Sequence, residues 1–116
     1  MATLFWIVLI AGAVGLFLVT RGGGSPADLA AWRERGATVV DVRTPGEFAS
    51  GHVRDARNIP VDQLLKRLDE VPPGPVIVYC ASGMRSRRAR AILEGAEGYE
   101  VLDMSRLGNF PASERT

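Results

Sequence analysis

The run Val76-Ile77-Val78-Tyr79 is rich in β-branched residues and ends at Cys80, the chain's only cysteine. A tight polar loop follows at Ala81-Ser82-Gly83, and then a pattern that reads as a helix. A short continuous apolar run of this kind argues for a strand buried on both faces. Strand, cysteine, loop, helix places the sulfur at the C-terminal edge of a sheet, close to a helix N-terminus. There the positive end of the helix dipole and backbone N–H groups without intrahelical acceptors stabilise a thiolate.

The rest of the chain agrees with that reading. Ser25 is an N-cap candidate, with Pro26 at the first helical position and Asp28 three residues on. Gly36 suits the stop of that helix. Thr38 to Val42 reads as a buried strand. Thr44-Pro45-Gly46-Glu47 repeats the capping pattern for a short helix, and Ala56 to Ile59 reads as a second short strand. Val61, Leu64, Leu65 and Leu68 fall on one helical face, and Val71-Pro72-Pro73-Gly74-Pro75 stops that helix. After the cysteine loop, Ser86, Ala89, Leu93 and Ala96 share a face, with Arg87, Arg90 and Glu94 opposite. Tyr99 to Leu102 reads as a last strand. Strands alternating with helices predict an α/β domain with a mainly parallel sheet flanked by helices, whose ligands sit at the C-terminal ends of strands.

Four segments narrow the class further. They are Asp41-Val42-Arg43-Thr44-Pro45-Gly46-Glu47-Phe48, Gly51-His52-Val53, Asn58-Ile59-Pro60, and Tyr79-Cys80 through Arg85-Ser86. In this order they match the D-x-R-x-x-x-E-[FY], G-H-[IV], N-[IL]-P and Y-C-x-x-G-x-R-S segments of the rhodanese-like sulfurtransferases. The chain resembles the single-domain type of that family from about Ser25 to Leu107. Family members often close with a Gly-Gly and Trp segment. This chain has only Gly108 and no late Trp, so its closing helix is expected to be short or absent.

The resemblance implies transfer of a sulfane sulfur from a small anionic donor such as thiosulfate, through a Cys80 persulfide, to a thiol or cyanide-like acceptor, protein thiols included. No cofactor is implied. Ala81, Ser82, Gly83, Met84, Arg85 and Ser86 form the substrate-binding loop, whose backbone N–H groups stabilise the sulfur anion. Gly83 permits a backbone conformation that a side chain would block. Arg85 closes the loop by hydrogen bonding or meets the anionic donor. Arg87, Arg88 and Arg90 add positive charge, with Arg87 and Arg90 also suited to a solvated helix face. Asp41 and Arg43 are structural residues near the site, and an Arg43–Glu47 ion pair is expected. His52 belongs to a turn element rather than to the chemistry. The alternative is a non-enzymatic binding or persulfide-carrier module. Phosphatase and arsenate reductase relatives of the same fold use C-x5-R, one residue longer than the C-x4-R from Cys80 to Arg85.

The 116 residues suffice for one domain, and 14 basic against 13 acidic residues give no case for nucleic acid. One cysteine makes no intramolecular disulfide, and with His52 as the lone histidine it makes no zinc site, so no metal is expected. Residues 2 to 20 carry no charge and no proline. At about 1.5 Å rise per residue such a run just spans a hydrocarbon core, and residues 1–20 are expected to form one transmembrane helix. A cleaved signal peptide is disfavoured, because no basic region precedes the run and it continues past Ala13. Arg21, Arg33 and Arg35 follow it, which orients the domain to the cytoplasm. The expected organisation is this helix (1–20), a Gly-rich linker (21–25), the rhodanese-like domain (26–108) and a frayed C-terminal tail (109–116). A single-pass protein of an inner or plasma membrane, in contact with lipid, follows from that organisation.

Overall fold

A computed structural model of the chain describes residues 23–116. The expected transmembrane helix lies outside the described residues. Among the described residues, no helix is long and apolar enough to cross a membrane. The elements run α1 (Pro26–Glu34), β1 (Thr38–Asp41), α2 (Pro45–Ala49), β2 (Arg57–Asn58), α3 (Val61–Leu64), β3 (Gly74–Cys80), α4 (Met84–Glu94) and β4 (Tyr99–Arg106). The four strands form one parallel sheet in the order β2-β1-β3-β4.

Local chemistry accounts for the starts of α1 and α2. Ser25 and Asp28 form a reciprocal capping box ahead of α1, and Thr44 and Glu47 form a second ahead of α2. In both, proline takes an early helical position, where its missing N–H costs nothing. Alternation along β3 then divides the core. Val76, Val78 and Cys80 face a cluster with Val40, Val42, Leu64, Ala89 and Leu93, on the side of α3 and α4. Ile77 and Tyr79 face the opposite cluster with Leu29, Val39, Val53, Met104 and Phe110, on the side of α1 and the C-terminus. The sheet is therefore covered on both faces, as its unbroken apolar strands require.

Three segments depart from the sequence reading. The helix expected through Leu68 is α-helical only to Leu64, and Leu65–Glu70 continue as a 3-10 turn interrupted at Arg67. Tighter winding changes the phase of the apolar positions. Leu68 stays partly buried against the core, while Leu65 turns outward and is 68% exposed. β4 runs past Leu102 to Arg106. The tail expected to fray is instead packed. Phe110 is buried edge-to-face on Tyr79 at 5.0 Å between ring centroids. Val53 and Arg115 form an antiparallel bridge, and the Thr116 N–H donates to the His52 carbonyl at 2.9 Å. At the other end, the Gly24 N–H donates to the Asp103 carbonyl at 2.8 Å, which fastens part of the Gly-rich stretch to β4.

Candidate active site

β1 and β3 lie side by side at the centre of the sheet, and the chain departs from them in opposite directions. The crevice at such a switch point, beyond the C-terminal strand ends, is where open α/β sheets bind ligands. Asp41 ends β1 and pairs in register with Tyr79, so Cys80 at the end of β3 stands beside the loop that leaves β1.

Cys80 is completely buried. The Gly83 N–H donates to Sγ at 2.9 Å. Gly83 caps α4 at a φ of 96°, a conformation that favours glycine. A Cβ there would also stand 2.5 Å from the Ser105 hydroxyl. The Ser86 hydroxyl has one proton to give, and the Gly83 carbonyl at 3.1 Å and the Ser105 carbonyl at 3.5 Å compete with the sulfur for it. Burial pushes the Cys80 thiol up. The Ser86 hydroxyl and the N–H groups of Ser86, Gly83 and Ser82 outweigh burial and hold it below its usual value. The loop thus favours an anionic sulfur without an adjacent general base.

Ala81, Ser82 and Met84 are exposed at the mouth, Met84 at 76%. Met84 and Arg85 open α4, so their N–H groups have no intrahelical acceptor. Arg87 and Arg88 are exposed and Arg90 is half-buried, where its Nε donates to Glu94 at 2.7 Å.

Arg85 closes the loop from outside. It grips Glu47 with two hydrogen bonds, at 2.6 and 2.9 Å. Glu47 was expected to pair with Arg43, and the structure corrects this. Arg43 folds back two residues onto Asp41, whose carboxylate accepts its Nε at 3.0 Å and its Nη2 at 2.6 Å. That leaves Glu47, already capping α2 through Thr44, open to Arg85. The Arg85 hydrogen bonds and the Thr44 N–H draw the Glu47 carboxyl down to about 2. A carboxylate depressed in the folded state contributes stability above its ordinary value, and loses it as pH falls toward the folded value. Glu47→Gln is therefore expected to lose less stability than the wild type between pH 6 and pH 3, read from urea midpoints at the two pH values.

Asp41 and Arg43 tie the neighbouring turns together. Both side chains are buried, and Arg43 Nη2 also donates to the Gly51 carbonyl at 2.7 Å. Asn58 Nδ2 donates to the Asp41 and Arg43 carbonyls at 3.1 and 2.9 Å. Three of the sequence segments thus meet in one buried network beside Tyr79, whose hydroxyl accepts the Val53 N–H at 3.0 Å. His52 stacks on Phe48, and its Nδ1 lies 2.9 Å from the Phe48 carbonyl, so the ring is held within its turn. One contact to the sulfur had no sequence signal. The Ser105 carbonyl, on β4, lies 3.4 Å from Cys80 Sγ.

Known proteins resemble this chain in sequence and in fold. Residues 25–106 match the family model described as Rhodanese-like domain. A sulfurtransferase of Allochromatium vinosum is 43% identical over 56 residues, covering 47% of this chain and 52% of that protein. The thiosulfate sulfurtransferase GlpE of Ectopseudomonas mendocina is 35% identical over 81 residues, covering 69% of this chain and 74% of that protein. The chain thus spans about half the length of the first relative and three quarters of the second. A solved rhodanese with anions from E. coli superposes with a TM-score of 0.63 at 30% identity, over 69% of this chain and 96% of that one.

Proposed function

The chain belongs to the rhodanese-like domain family, and from that membership we propose that it is a sulfurtransferase working through a Cys80 persulfide. In the first half-reaction the Cys80 thiolate attacks the outer sulfur of a donor such as thiosulfate. The donor's S–S bond breaks, its electron pair leaves on sulfite, and Cys80 keeps the outer sulfur as a persulfide anion. In the second, cyanide or a thiol attacks that sulfur, and the electron pair of the Cys80 S–S bond returns to Cys80. The observation that carries this reading is the buried sulfur at the end of β3, held below its usual thiol value by the loop that donates to it. Sulfurtransferase relatives support the same class of chemistry.

Double displacement predicts ping-pong kinetics. Initial rates with thiosulfate and cyanide varied together should give parallel double-reciprocal lines. Converging lines would mean that both substrates must be bound at once and would sink the persulfide route. Loading without release to any small acceptor would favour the carrier alternative.

Gly83→Ala is expected to slow transfer by about 100-fold, because a displacement of about 1 Å at the reacting atom suffices for that loss. The new side chain opposes the left-handed backbone that aims the Gly83 N–H at the sulfur, and its Cβ also displaces the Ser105 hydroxyl. Single-turnover rates with thiosulfate measure the effect.

The membrane anchor belongs to this proposal too, on the strength of the uncharged run over residues 2 to 20. Full chain that stays in the membrane pellet after carbonate extraction would support it. Full chain in the supernatant would remove it.

A further inference from the structure

β4 carries none of the four sequence segments, yet it reaches the sulfur. Its register with β3 slips after Val78. Val78 pairs with Asp103, but Tyr79 pairs with Ser105 and Cys80 with Arg106. Met104 is the extra residue of this β-bulge. Ser105 has a φ of 70°, the one positive φ of a non-glycine residue among the described residues. That backbone is unfavourable for any residue with a Cβ, so the surroundings must impose it. Two side chains do so. Asp103 Oδ1 accepts the Ser105 N–H at 2.8 Å, and Asn109 Nδ2 donates to the Met104 carbonyl at 2.7 Å.

The bulge turns Ser105 onto the loop. Its carbonyl lies 3.4 Å from Cys80 Sγ and 3.5 Å from Ser86 Oγ, and its hydroxyl fills the space beside Gly83 Cα. A carbonyl oxygen in this place discriminates between charge states of the sulfur. It accepts the proton of a neutral thiol, and its partial negative charge opposes a thiolate. In a persulfide anion the charge belongs to the outer sulfur, one S–S bond further away, and Sγ itself is neutral.

We propose that Ser105 is a positioning residue, whose carbonyl is turned onto Cys80 Sγ by the bulge so that charge is disfavoured there relative to the sulfur Cys80 takes up. The inference rests on the sulfur-transfer reading. In loading, Cys80–S⁻ and thiosulfate become Cys80–S–S⁻ and sulfite: a lone pair of Cys80 forms the new S–S bond, the pair of the donor's S–S bond leaves on sulfite, and no net charge is gained or lost. The carbonyl raises the energy of the thiolate side more than that of the persulfide side, so it drives loading forward. Ser105 acts against the N–H groups and the hydroxyl that lower the thiol. Arg85 on α4 carries a positive charge coupled to the sulfur, and Glu47 on α2 is its counter-ion.

Two variants of the full chain separate backbone from side chain. Ser105→Gly keeps the left-handed backbone, whereas the branched side chain of Ser105→Val opposes it and releases the carbonyl. The pH midpoint of Cys80 alkylation by iodoacetamide is expected to fall by about one unit in Ser105→Val and to stay in place in Ser105→Gly. At a pH above both midpoints, persulfide formed at a fixed thiosulfate-to-sulfite ratio should fall as well, by up to about tenfold in its equilibrium constant. In the wild type, the carbon-13 resonance of the Ser105 carbonyl should shift with pH at the same midpoint as alkylation. A midpoint that holds or rises in folded Ser105→Val would overturn the proposal, as would a carbonyl resonance indifferent to the titration. The carbonyl measurement needs no variant to fold, and neither it nor alkylation needs a sulfur donor. A wild type that took up no sulfur would defeat the sulfur-transfer reading instead, with these two readouts still able to decide the role of Ser105.

Discussion

Cys80→Ser is expected to lower sulfur transfer by roughly 10⁶-fold, the scale on which removing a covalent nucleophile acts in enzymes that use one. Serine is nearly the same size, so the buried position at the end of β3 should tolerate it and the fold should survive. The chemistry should not. A hydroxyl cannot ionise in the range that the loop makes available to a thiol, and an S–O bond is a poor store for a sulfane sulfur. The Gly83 N–H and the remaining loop donors stay in place, so a thiosulfate anion can still meet the loop. Steady-state assay with thiosulfate and cyanide, beside a circular dichroism melt, separates lost activity from lost structure. A folded Cys80→Ser that kept more than about a hundredth of the wild-type rate would remove the nucleophile assignment.

Arg43→Met is expected to give the largest loss of stability, about 3–5 kcal/mol. Asp41 is fully buried, and Arg43 gives its carboxylate hydrogen bonds from Nε and Nη2 as well as one from its own backbone N–H, beside a further one from the Tyr79 side chain. Methionine keeps much of the volume and removes the charge. The carboxylate is then left in the interior with a fraction of its partners, and the Gly51 carbonyl loses its donor. Domains of this size have a total stability of about 5–15 kcal/mol, so the loss is a large share of the whole. The melting temperature should drop by about 15 °C or more. Replacing both partners with apolar residues should restore part of the loss, since a matched pair of buried apolar groups avoids the unpaired charge. A drop of under 3 °C in Arg43→Met would mean that water or another group reaches Asp41 and that the pair does not brace the site.

Much of this arrangement was legible beforehand, for reasons that can be named. Helix starts announce themselves in short range, and both capping boxes, at Ser25–Asp28 and Thr44–Glu47, form between residues three apart. β3 was legible because a strand covered on both faces must be apolar throughout. The cysteine loop was legible because Gly83, Arg85 and Ser86 stand at fixed short distances from Cys80 along the chain. Long-range partners were harder. Glu47 and Arg85 are 38 residues apart, and only the folded sheet brings α2 to the mouth of the loop. The nearer Arg43 offered itself first, and it was withdrawn by the buried Asp41 two residues away.

The end of the chain, from Asp103 onward, was the least legible. Asp103-Met104-Ser105-Arg106 breaks the apolar pattern, so the strand appeared to stop at Leu102. The bulge that ends β4 is held by Asp103 and Asn109, and neither signals a strand. Phe110 and Thr116 lie in a polar stretch that local pattern assigns to a loose end. Their anchors, Tyr79 and His52, are far away in sequence.

The persulfide is the central claim, and intact mass spectrometry of the full chain tests it most directly. Wild type and Cys80→Ser are treated side by side with thiosulfate, desalted and weighed, before and after cyanide. The expected result is a gain of the mass of one sulfur atom on the wild type alone, removed again by cyanide. No gain with thiosulfate or with a polysulfide donor, or an equal gain on Cys80→Ser, would contradict it.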